Sequence, residues 1–149
     1  MKYSHESYSV IVLKNYRFGL ATFSKYPIVH KGKPIFNIPH STNNVIYTDI
    51  KIGEDTIRVF NCHLASIRLE KESFTTIEQI QNNSYNEKDY SGIRKIGTKL
   101  KKAFYRRAMQ ADTLSLEIRK SPYSVFVCGD FNDIPLSYTM HQHWRSTPC

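Results

Sequence analysis

VIYTDIKIGEDTIRVFNCHLAS, residues 45–66, decides the fold. Ile46, Thr48, Ile50 and Ile52 fall on one face of its first arm, and Ile57, Val59, Asn61 and His63 on one face of its second. A period of two marks a strand, because successive side chains leave a pleated backbone in opposite directions. Gly53-Glu54-Asp55 separates the arms, and a short Gly-containing turn joins antiparallel neighbours. The stretch predicts a hairpin, 45–52 against 56–64, in a sheet with a buried face.

Working outward, YSVIVL (8–13) and FGLATFS (18–24) are rich in β-branched and aromatic residues and read as strands, with NYR (15–17) as the turn between them. KYPIVHKGKPIFNIPHST (25–42) holds three prolines and reads as irregular. Residues 70–92 are polar, without a clean period, and read as a loop or a short helix. Over 93–119 the pattern changes. Ile93, Ile96, Leu100, Phe104, Ala108, Ala111, Leu114 and Ile118 recur at steps of three or four, the stripe of an amphipathic helix. Arg94, Lys95, Lys99, Lys101, Lys102, Arg106 and Arg107 make its other face basic. Ser121-Pro122 stops the helix, and YSVFVC (123–128) follows as a buried strand. This order predicts a mixed α/β domain whose helices cover a sheet.

The 149 residues suit a single domain with a real core, and 40% hydrophobic with 13% aromatic residues excludes a disordered chain. With 21 Lys and Arg against 13 Asp and Glu the formal charge is +8, which favours acidic partners: phosphates, nucleic acid or anionic headgroups. Cys62, Cys128 and Cys149 match neither a disulfide framework nor a zinc site, and their odd count suits reduced thiols. The apolar run Val10–Leu13 is too short for a signal peptide or a membrane span. A soluble chain, cytoplasmic by default, is expected.

VFVCGDFNDIP (125–135) ends an apolar strand and then crowds Asp130, Asn132 and Asp133 together. Two readings stand side by side. Gly, Asn and Asp make tight turns for backbone reasons, with Asp133 capping a following segment. Alternatively, the strand delivers Asp130 to its C-terminal end, where its carboxylate can orient a water while the Asn132 amide holds a phosphoryl oxygen. His63, at the end of FNCHL, is either a half-buried strand histidine or a partner for Asp130 at the same sheet edge. The basic helix face reads as a solvated surface or as a phosphate-backbone binder. Arg68, close after His63, could face an anion. His141 and His143 with Cys149 mimic a metal cluster only superficially.

Together, FGLATFSKYPI (18–28), VFNCHLAS (59–66) and VFVCGDFND (125–133), the last preceded by RRAMQADTLSLEI (106–118), resemble the endonuclease/exonuclease/phosphatase family of DNase I-like metal-dependent phosphoesterases. The resemblance covers about residues 15–140 and implies a fold: two β-sheets packed face to face, flanked by helices, here incomplete at both ends. It also implies roles. Asp130 would orient or deprotonate the attacking water, Asn132 would hold the scissile phosphate, and His63 would donate a hydrogen bond to it. Mg²⁺, or Mn²⁺, is the implied cofactor, with Asp130 as a possible ligand, and the implied substrate is a phosphoester of nucleic acid or of a phospholipid headgroup. Family members place a metal-binding Glu upstream of the FSKYPI segment and end in a Ser-Asp-His run. Neither has a counterpart here, since Glu6 follows no apolar strand and the chain stops at HQHWRSTPC. The expectation is a single partial domain over 1–149, with an irregular tail from 141 and little or no activity alone. The rival expectation is a non-catalytic nucleic-acid-binding fragment that uses the 93–119 helix face.

Overall fold

A computed structural model describes residues 1–12, 16–36, 38, 41–67, 69–82, 84, 90–134 and 136–141. Its elements, in chain order, are β1 (Tyr3–Val12), β2 (Tyr16–Ser24), β3 (Ile28–Gly32), β4 (Asn44–Ile52), β5 (Asp55–His63), α1 (Lys71–Gln81), α2 (Tyr90–Arg119) and β6 (Ser124–Asp130). Two sheets form, β1-β2 and β3-β4-β5-β6, all pairs antiparallel except β5-β6. The architecture is thus mixed α/β with two sheets and two long helices. Among the described residues no helix is long and apolar enough to cross a membrane.

The hairpin forms as its alternation predicts. Ile52 pairs with Asp55, so Gly53-Glu54 is a two-residue turn, and Gly53 takes the positive φ of 61° that tight hairpin turns require. Val45, Tyr47 and Asp49 oppose Cys62, Phe60 and Arg58 on one face. Leu114 and Ile118 of α2 close over that face with Val45, Phe60, Cys62 and Leu64, and this is the core. The other face carries Asn44, Ile46, Thr48 and Ile50 opposite His63, Asn61, Val59 and Ile57. It meets the β1-β2 sheet, to which it is pinned by polar groups. Asn44 Nδ2 donates to Ser7 Oγ at 3.0 Å, Asn61 Nδ2 donates to the Ala21 carbonyl at 3.0 Å, and His5 Nδ1 lies 3.0 Å from Thr48 Oγ1. β4 is covered on both sides for this reason.

Several expectations change. The irregular stretch 25–42 contains β3: the chain turns at Pro27, whose carbonyl accepts from Lys51 N at 3.0 Å, and then pairs along β4. Of the expected turn at 15–17, Tyr16 and Arg17 belong to β2, and Asn15 lies outside the described residues. In the polar segment 70–92, α1 occupies Lys71–Gln81, and α2 begins three residues before the stripe, at Tyr90. Phe104 is 50% exposed, because the buried stripe of α2 runs through Ala103, Arg107 and Gln110 and leaves it to one side. β6 is not a buried strand. It is the edge of its sheet, with Val125 and Val127 packed toward the core and Phe126, on the face it shares with Val59, 58% exposed.

Candidate active site at two strand ends

Parallel pairing of β5 with β6 aligns Asn61 with Cys128, Cys62 with Gly129 and His63 with Asp130. The two apolar strands therefore finish at the same level, and both deliver a polar side chain to one face. Leu64 N donates to the Asp130 carbonyl at 2.9 Å and extends the register one step past the strand. Asp130, with Asn61, Cys62 and His63, lines a cavity of about 370 Å³ whose opposite wall is Val10, Phe18 and Leu20 of the β1-β2 sheet.

The turn that follows is built by the same residues that could do chemistry. Asp130 Oδ1 accepts from Asn132 N at 3.0 Å, a local bond that turns the chain. Asn132 takes a left-handed φ of 50°, tolerable for Asn, and its Nδ2 donates to the Leu64 carbonyl at 3.1 Å. One amide proton of Asn132 is thereby spent on the residue that follows β5, and Asn132 is not among the residues that line the cavity. The turn and the strand-end readings are compatible here, because the turn is what sets the positions.

Asp133 belongs elsewhere. Its side chain is 4% exposed, and its Oδ2 lies 3.1 Å from Arg107 Nε, an ion pair not aligned as a hydrogen bond. Its Oδ1 accepts from N of the next residue, Ile134, at 3.0 Å, a local bond in the turn. Arg107, expected on the basic face, is 1% exposed instead. Its Nη1 donates to the Ala65 carbonyl at 2.9 Å, while Ala65 N donates to Gln110 Oε1 at 2.9 Å. One turn of α2 thus grips the segment after β5 and, through Asp133, the segment after β6. Neither residue drew notice as a positioning group in the sequence. The signal exists, however, since positions 103, 107, 110, 111, 114 and 118 recur at helical spacing and all are buried.

The cavity is poor in metal ligands. Asp130 is the single carboxylate among its lining residues, and among the described residues no group of three or more His, Cys, Asp or Glu could hold a metal ion. Glu6 accepts from the Tyr8 hydroxyl and does not line the cavity. Burial pushes the Cys62 thiol far up, and the neighbouring Cys128 adds to this, so Cys62 stays protonated and offers no nucleophile. These residues alone do not fit a divalent ion, which takes several carboxylate or carbonyl oxygens. His141 is described and exposed, while Arg68, His143, Cys149 and the tail from 142 lie outside the described residues.

Among known proteins, no family model and no curated protein matches the chain. The class that the layers define is a two-sheet α/β fold. A similar arrangement occurs in the crystal structure of SmcL, at a TM-score of 0.55 and 16% sequence identity. The match covers 86% of this chain and 38% of SmcL, so this chain spans well under half the length of that protein.

Proposed function

We propose that the cavity at the ends of β5 and β6 belongs to a DNase I-like site that hydrolyses phosphoesters. The observation that supports this is the alignment of His63 with Asp130 on adjacent parallel strands, both lining one cavity. Hydrolysis needs a base to orient water in line with the leaving oxygen and donors to meet the charge that builds on the phosphoryl oxygens. Asp130 accepts the water's proton. His63 donates to a phosphoryl oxygen, and the second amide proton of Asn132 does the same. Mg²⁺ or Mn²⁺, which the sequence resemblance implies, finds one carboxylate here, so turnover by this chain alone is slow or absent. The rival reading, a nucleic-acid-binding face on α2, loses two of its cations: Arg107 is buried, and Lys99 lies 2.8 Å from Glu70 Oε1.

Two measurements test the proposal. Release of nitrophenol from bis(4-nitrophenyl) phosphate and 4-nitrophenyl phosphate, with Mg²⁺ or Mn²⁺, is expected to be marginal. Any turnover should fall by about 10² or more in Asp130→Ala, the scale of a lost general base. Orthovanadate, which adopts the trigonal-bipyramidal geometry of the transition state, should bind in the cavity. That binding should weaken about tenfold in His63→Ala and in Asn132→Ala, one charge-assisted hydrogen bond each. Vanadate binding unchanged in both variants would overturn the proposal, as would turnover indifferent to Asp130.

A further inference from the structure

His63 also lines a second cavity, which does not include Asp130, and this one is basic. It measures about 270 Å³ and lies between α2 and the segments that follow β3 and β5. Lys99, Lys102, Ala103 and Arg106 form its helix wall at i, i+3, i+4 and i+7, one continuous face of α2. Ala103 is buried, and its small side chain lets the facing segment approach closely. Ser41, Asn43 and Ser66 supply hydroxyl and amide groups from the other wall. The 41–43 segment is shaped by its own bonds: Ser41 Oγ donates to Asn43 Oδ1 at 2.9 Å and accepts from Asn43 N at 3.2 Å.

The charge here is unbalanced. Three cations, Lys99, Lys102 and Arg106, face one carboxylate, Glu70, which leaves +2 with His63 neutral. Glu70 is already committed, since Lys99 holds its carboxyl below the usual range. No acidic partner is recorded for Lys102 or Arg106 among the described residues. Like charges at i, i+4 repel along a helix, and an anion between them relieves that repulsion. A cavity with hydroxyl and amide donors on one wall and two unpaired cations on the other suits a phosphate group.

We infer that this cleft is a second phosphate subsite, sharing His63 and Thr42 with the lining of the Asp130 cavity. Resting on the phosphoester reading above, this gives the substrate class: a molecule with a second phosphate beside the one attacked. Anion binding itself does not depend on that reading, and the two can fail separately. Amide shifts of the full 149-residue chain are followed by NMR as inorganic phosphate is added at low ionic strength. Shifts should concentrate at Ser41–Asn43, Ser66 and the 99–106 turns of α2. Affinity should fall about tenfold or more in Lys102→Ala/Arg106→Ala. The control Arg94→Ala/Lys95→Ala removes equal charge from the same helix outside the cleft and should change affinity less than about threefold. Asn132→Ala, which lies in the turn after Asp130 and lines neither cavity, should leave it unchanged. Equal weakening in both double variants, or shifts that never reach Ser41–Asn43, would mean diffuse attraction to a basic chain and overturn the inference. Phosphate binding that persists while vanadate ignores His63 and Asn132 would leave the subsite standing and remove the hydrolytic reading.

Discussion

At Gly129 the backbone of β6 passes so near β5 that no side chain fits. Its φ is 133°, and a Cβ there would lie 2.6 Å from Cys62 N and nearer still to the Cys62 oxygen. Both the conformation and the contact exclude an L-residue, and the residue sits one step before Asp130. Gly129→Ala should therefore cost about 2–5 kcal/mol, combining backbone strain with overpacking, read as a lower urea midpoint. Gly53→Asn is the contrast, because φ is 61° there and nothing lies within 4 Å of the added Cβ. It should cost under about 1 kcal/mol. Equal costs at the two sites would show that contact with Cys62 contributes nothing. At this scale the sequence was partly legible. Polar residues ending two alternating or apolar strands marked His63 and Asp130 without any structure. That Asp133 differs in kind from Asp130 was not legible, because its partner, Arg107, lies on another element and was counted among the surface cations.

Helix α2 works as a clamp between the two strand ends. Arg107 reaches the Ala65 carbonyl and Asp133, and Gln110 receives the Ala65 N–H, all within one helical turn. Removing a partner from a buried pair leaves a charge without compensation, whereas replacing both partners removes the problem. Arg107→Leu should cost about 3–5 kcal/mol in chemical denaturation. Adding Asp133→Asn to that variant should recover part of the loss, since an amide tolerates burial better than a lone carboxylate. A cost under about 1 kcal/mol would be that of a solvent-screened pair and would end the clamp argument. Elements were legible where packing is apolar and periodic, as in β4, β5 and the C-terminal half of α2. They were not where docking is polar. Helix α1 buries only Ser73 and meets α2 through Glu70 and Lys99, so it leaves no apolar stripe to read. In β3, an edge strand that follows a proline, alternation is too short to register.

Across the whole molecule the layers are unequal. The face under α2 has a cluster of apolar core residues, while the face under β1-β2 buries Ile46 and Ile50 and adds single polar contacts from His5, Ser7 and Asn61. The outer side of that smaller sheet is apolar and exposed at Ile11 and Phe23. The two sheets were legible as strands in sequence, but their unequal attachment was not, because polar pins have no periodicity. This asymmetry makes attachment of the small sheet sensitive to acid. Burial beside β4, followed by the repulsion of Lys31, lowers the His5 pKa from its ordinary 6.5, while a hydrogen bond with the Tyr47 backbone opposes the shift. A histidine with a lowered pKa binds protons more readily when its element is detached. Above pH 6.5 both forms are neutral and the term vanishes; as pH falls below 6.5, attachment weakens, and it levels off once His5 is charged in the folded chain as well. Opening free energies from amide exchange, corrected for intrinsic rates, should therefore decline in β1 and β2 from neutral pH toward the acid side. Those of β4 and β5 should decline less. His5→Gln cannot titrate, and it should flatten the decline in β1 and β2. If β1 and β2 keep the same acid dependence in His5→Gln, the small sheet is held by something other than this contact.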